Sequence, residues 1–234
     1  MIDVDHQISA VSRSLGTRTI AAGEARVLSI SQTYKADVAD VFDAVTSPER
    51  LPRWFLPVSG DLSLGGRYQF EGNAGGVIER CDPPTGFAAT WEFGGEVSWI
   101  EVTITEEGDG ARLTLEHIAH VTDEMWAQYG PGAVGIGWDG ALSGLARHLA
   151  GAGPVDMAEV EAWSASPEGK RFYRETSARW AEASIAAAPR RRRPGPPPTG
   201  SPRSTRQSRR SGLGPRGCGR RGPRSRSPGR RRWC

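Results

Sequence analysis

The chain has 234 residues and carries 30 Lys+Arg against 27 Asp+Glu, a net charge of +3, but the two signs are segregated. Sixteen arginines and no acid fall in residues 189–234, which leaves 14 basic against 27 acidic side chains, a net of −13, on residues 1–188. A body this negative repels phosphate, so the pI near 9.0 is not the footprint of a nucleic-acid-binding domain, and no apolar run approaches the ~18 residues of a membrane span.

Residues 1–24 lack the basic and apolar regions of a secretory leader and read as an N-terminal extension of a cytoplasmic protein. Three cysteines, Cys81, Cys218 and Cys234, are too few and too scattered for a disulfide framework, and Cys81 reads as a reduced, half-buried strand residue. From Arg26 the pattern alternates. "RVLSISQTYKA" predicts a strand with Leu28, Ile30, Gln32 and Tyr34 on one face and Val27, Ser29, Ser31 and Thr33 on the other. Asp37 then caps a helix in which Val38, Val41, Phe42 and Val45 share a stripe, and "SPERLPRWF" predicts a second short helix capped by Ser47. "GDLSL", "GRYQFEG", "GVIERCDPP", "FAATWEF", "EVSWIEVTIT" and "ARLTLEHIAHV" follow as a meander of about six strands with glycine turns between them. "TDEMWAQYGPG" reads as a loop with one helical turn. "AVGIGWDGALSGLARHLAG" reads as a long amphipathic helix with Val134, Trp138, Leu142, Leu145 and Leu149 along one stripe.

Residues 152–188 predict a helical appendage: one short helix, then a second capped at Ser166 whose weak apolar face of Phe172, Thr176 or Ser177, Trp180 and Ile185 packs on the outside of the domain. Residues 189–234 are almost wholly Arg, Pro, Gly and Ser and cannot bury enough surface to offset the entropy of ordering. Two readings of this disordered tail stay open. Its Ser-Arg runs fit a basic arm for nucleic acid, whereas the lack of any lysine fits GC-rich DNA translated out of frame.

A strand, two short helices, a curved antiparallel sheet of six to seven strands and a long closing helix make an α+β helix-grip plan. The segments "VFDAVTSPERLPRWFLPVSGDLSLGGRYQF", "WEFGGEVSWIEVTIT", "RLTLEHIAHV" and "GWDGALSGLARHL" resemble the SRPBCC (START-like, birch-pollen-allergen-like) superfamily over residues 25–151. Within it they are similar to the branch named for homology to activators of the heat-shock protein 90 ATPase. The resemblance implies an apolar cavity between sheet and long helix and a carrier of small hydrophobic molecules. It leaves open two alternatives: a cyclase or hydratase using a buried Glu with a Tyr or His, and a chaperone-helper interaction module.

The residue types agree with a cavity without metal or cofactor. "GPGAVG" matches G-x-G-x-x-G but follows an acidic, aromatic loop and not a buried parallel strand, so no nucleotide site is expected. His117 and His120 lie on opposite strand faces and cannot share a metal. Glu79, Glu92 and Glu101 sit on three separate strands, as candidate cavity acids or as solvated positions, and no catalytic residue is assigned. His117 is read chiefly as solvent-facing, with cavity lining as the other option. The expected ligand cavity is walled by Trp54, Phe55, Tyr68, Phe70, Trp99, Trp138 and Leu142, with Glu92 and His117 supplying polarity. The partner expected is a small hydrophobic molecule, with homodimerisation left open.

Overall fold

The computed structural model describes residues 3–21 and 23–188. Its elements are α1 (Val4–Ala10), β1 (Val11–Ile20), β2 (Gly23–Tyr34), α2 (Val38–Thr46), a 3-10 turn (Leu51–Arg53), β3 (Val58–Gly60), β4 (Arg67–Phe70), β5 (Gly75–Asp82), β6 (Gly86–Phe93), β7 (Glu96–Glu107), β8 (Gly110–Ala119), α3 (Asp123–Tyr129), α4 (Gly132–Leu149), α5 (Met157–Ala165) and α6 (Pro167–Ala187). The strands form one antiparallel sheet in the order β1-β2-β8-β7-β6-β5-β4-β3. This is the helix-grip arrangement expected, with α4 against the inner face.

Strand alternation places the core. On β2, Leu28, Ile30, Gln32 and Tyr34 face inward, and on β8 Ala111, Leu113, Leu115 and His117 do the same. Across the ladder Ile30 stands opposite Leu115 and Leu28 opposite His117, so one inner row is continuous from strand to strand. Asp37 caps α2 as predicted, its carboxylate accepting from the Asp40 N–H at 2.7 Å. Ser166 likewise caps α6, accepting from the Gly169 N–H at 3.1 Å.

Several expectations change. The sheet has eight strands, because residues 11–20 pair along their whole length with β2, from Val11 opposite Gln32 to Ile20 opposite Gly23. This edge strand is polar and carries Gly16, so its sequence gives little strand signal. "GDLSL" contributes only its glycine to β3. The second short helix is a single 3-10 turn, in which Ser47 serves as the C-cap of α2 and accepts weakly from the Arg50 N–H at 3.3 Å. Cys81 lies on β5 and is disulfide-bonded, not the free thiol expected: cysteines too few for a disulfide framework still suffice for a single bridge. The expectation of a disordered tail over 189–234 lies outside the described residues.

The C-terminal helix is far more embedded than a weak apolar face predicts. Phe172 and Trp180 are each 1% exposed and Thr176 is fully buried, while Ile185 stands out at 77%. Trp180 donates from Nε1 to Asp139 of α4 at 2.8 Å, and the same carboxylate receives Arg13 of β1 through Nε at 3.1 Å and a second guanidinium nitrogen at 2.5 Å. Edge strand, closing helix and last helix are thus joined at one buried ion pair. Burial pushes the Asp139 carboxyl above its ordinary value, against the opposing pull of Arg13 and Trp180. Among the described residues no helix is long and apolar enough to cross a membrane.

Candidate ligand cavity

The sequence directs attention to the space between the sheet and α4, and the structure fills it. Aromatic rings follow one another across that space. Phe55 meets Phe70 edge-on at 5.0 Å, Phe70 lies 5.9 Å from Trp91, and Trp91 lies 5.0 Å from Trp138 of α4. Only about 60 Å³ remains between them. That is room for a water or two and falls short of the roughly 300–1,000 Å³ of ligand pockets. The aromatics that argued for a void consume it by packing on one another.

The larger cavity lies on the opposite side of α4. It holds about 540 Å³ between α4, the Trp54–Leu56 turn, the approach to α5, α5 itself and the start of α6. Local sequence explains why space is left there. Gly137, Gly140 and Gly144 recur at helical spacing on that side of α4, and a Cβ built on Gly137 or Gly140 meets nothing within 4 Å. Gly144 does another job: a Cβ there would sit 2.6 Å from the Trp54 carbonyl oxygen, so its absence lets the turn approach the helix and bring Trp54 and Phe55 to the cavity wall. Trp54 is fixed by its Nε1–H donating to the Ala44 carbonyl at 2.9 Å. The far wall is the group Trp163, Phe172 and Tyr173, with centroids 5.6 to 6.4 Å apart. The Val155 N–H bonds the Arg53 carbonyl at 3.0 Å, tying the approach to α5 to the 3-10 turn.

Two polar atoms of this cavity's lining residues are left without partners. Ser143 is 3% exposed and its hydroxyl bonds to nothing, and the buried indole N–H of Trp163 is in the same position. Such groups cost roughly 1–3 kcal/mol when buried unpaired. Charge is mixed at the rim: Arg147 stands with Asp156 and Glu159.

The predicted site residues divide among several places. Trp54 and Phe55 line both the large cavity and the small hollow, whereas Phe70, Trp138 and Leu142 line the hollow alone. Tyr68 is buried and lines neither, its hydroxyl donating to the Thr90 carbonyl at 2.7 Å. Trp99 is on the wrong face for the expected site: one residue out of phase with Ile100, it packs outside the sheet with Ile20, Ala25, Val27 and Ile118. Glu92 is not a cavity group either, being held by Arg67 at 2.6 Å, which with Thr90 keeps its carboxyl below the ordinary range. Glu79 is exposed and Glu101 is bound by Arg18 at 2.7 Å.

His117 is buried against α4, 7% exposed, and does not face solvent. Its Nδ1 accepts from Trp138 Nε1–H at 3.0 Å, which leaves Nε2–H to donate to the Ser98 hydroxyl at 2.8 Å. Burial pulls its pKa down to about 4, so it is neutral at pH 7. It also borders a third cavity of about 150 Å³ beneath α3. Among the described residues no group of three or more His, Cys, Asp or Glu could hold a metal ion.

Residues 35–150 match the family model described as activator of Hsp90 ATPase homolog 1-like protein. The crystal structure of CalU16 from Micromonospora echinospora is 37% identical with a TM-score of 0.61, and the match covers 75% of this chain and 99% of CalU16. This chain belongs to the Hsp90 ATPase activator homologue 1-like family. Another member of the comparison, the solution structure of CalU16, gives 38% identity, a TM-score of 0.65 and coverage of 76% and 97%. The family chain is also similar, at 22% identity and a TM-score of 0.47, to DynU16 from the dynemicin biosynthetic locus, over 55% of this chain and 48% of that one. No curated protein matches it.

Proposed function

We propose that this family member binds a small apolar molecule in the cavity on the outer side of α4, acting as a carrier or stress-response protein of the cytoplasm. The observation that carries the reading is the cavity of about 540 Å³ floored by bare helix backbone at Gly137 and Gly140 and walled by Trp54, Phe55, Trp163 and Phe172. Its volume falls within the range of ligand pockets, and affinity would come from apolar area at roughly 25 cal/mol per Å². No residue of α5 is fully buried, so this helix is the wall that can yield to admit a ligand at least cost. The three glutamates considered for the enzymatic alternative lie elsewhere: Glu79 is exposed, and Glu92 and Glu101 are paired with Arg67 and Arg18.

The test uses N-phenyl-1-naphthylamine, a neutral probe that brightens in apolar surroundings, with quenching of the tryptophans as a second readout. Gly140→Leu and Gly137→Leu fill the cavity without meeting protein atoms at Cβ. Both variants should melt at or above the wild-type temperature, since leucine favours the helix over glycine, and lose probe binding. Unchanged binding in both would place the probe elsewhere and end this reading.

A further inference from the structure

The cavity beside α4 is closed on one side by α5, which lies beyond the matched residues 35–150 and is held unequally at its two ends. Met157, Val160 and Trp163 recur at every third position, so one side of this nine-residue helix meets the cavity while the rest meets solvent, and no residue of it is fully buried. The far end is anchored. Trp163 packs with Val4, Ile8 and Phe172, its carbonyl accepts from the Ser166 N–H at 2.9 Å and from the Ser166 hydroxyl at 2.6 Å, and the Ser164 and Tyr173 hydroxyls bond at 2.9 Å. Gly169 permits this closeness, because a Cβ there would sit 2.1 Å from the Trp163 carbonyl oxygen.

The near end has a single tie. Among the described residues, the Val155 N–H donating to the Arg53 carbonyl at 3.0 Å is the one hydrogen bond that joins residues 153–162 to anything outside α5. Just before it the chain can pivot: Gly151 stands at φ +84°, and Gly153 is exposed with open space around its Cβ position. Met157, at this end, is already 62% exposed, so lifting the near end withdraws little apolar surface, whereas lifting the far end would pull Trp163 out of its packed rings. We infer that α5 is a gate. It swings about Trp163 and Ser166 when the bond between Val155 and Arg53 breaks, and this motion, with the sheet and α4 unmoved, admits and releases the molecule held in the cavity. The inference rests on the cavity being the binding site.

Two measurements on the full chain test it. In wild type, hydrogen exchange read by NMR should show the amides of residues 160–162 in α5 exchanging at least tenfold faster than those of residues 172–180 in α6. Val155→Pro removes the N–H that donates to Arg53 and keeps an apolar side chain of similar size. In stopped-flow mixing of this variant with N-phenyl-1-naphthylamine, the association and dissociation rates should rise together by about fivefold, the factor that one hydrogen bond is worth. Unchanged rates, or faster release without faster entry, overturn the gate, as does equal protection of the two helices in wild type. Probe binding that is lost in Gly140→Leu keeps the cavity reading intact in those cases. Absence of probe binding in wild type, or binding indifferent to both Gly137→Leu and Gly140→Leu, would instead remove the reading on which the gate stands.

Discussion

Replacing His117 with Asn should flatten the acid limb of this protein's stability curve. In the folded chain the ring is neutral, accepting from Trp138 and donating to Ser98, and burial lowers its pKa from 6.5 to about 4. The unfolded chain therefore binds this proton more readily, so the stabilisation is fully present above pH 6.5 and is lost as pH falls toward 4. Over the whole window a shift of 2.5 pH units corresponds to ~3.4 kcal/mol at 1.36 kcal/mol per unit. Between pH 8 and pH 5, before most carboxylates titrate, the loss is about 2 kcal/mol. Urea denaturation at half-unit steps, wild type beside His117→Asn, measures it. Asparagine keeps an acceptor near Nδ1 for Trp138 and cannot titrate, so whatever its stability at pH 8, its decline to pH 5 should be smaller by about that 2 kcal/mol. His148, also depressed by burial and by Arg50 and Arg53, is common to both chains and cancels. Equal declines in the two proteins, or an NMR titration of His117 near 6.5, would refute the reasoning.

Two further outcomes concern stability. Arg13→Met strands the Asp139 carboxylate in the interior and should cost about 3–5 kcal/mol in thermal or chemical denaturation, whereas the double change with Asp139→Leu should recover most of the loss. Along α4, Gly135→Ala drives a Cβ to 2.4 Å from the Trp180 ring and should destabilise by roughly 1–3 kcal/mol; Gly140→Ala meets nothing and should add up to about 1 kcal/mol through helix propensity. Melting temperatures that rank the two glycine variants the other way would contradict the placement of the cavity.

The architecture was legible because local signals and tertiary demand agree where the chain is regular. The alternation in β2 assigns its faces correctly, and Asp37 and Ser166 cap the helices they appear to cap in the sequence. β1 escaped notice since its inward side includes Arg13, whose meaning lies in Asp139, 126 residues away. The burial of Trp180 likewise depends on Asp139, 41 residues away. Trp99 was misplaced by a single step of strand phase, which no count of aromatics reveals. The larger cavity lies on the side of α4 away from the one to which the sequence points. An abundance of aromatic residues does not say whether they stand apart or stack on each other, and the glycines that open the second cavity read, in the sequence, only as weak helix formers.

Because α4 is crowded on the sheet side and bare on the other, it works as a partition between a solid compartment and a hollow one. Side chains introduced at Gly137 and Gly140 would enter the hollow while the aromatic packing behind them stays untouched. The shape of the hollow is therefore separable from the stability of the fold, a separation that a pocket carved out of the core itself would not permit.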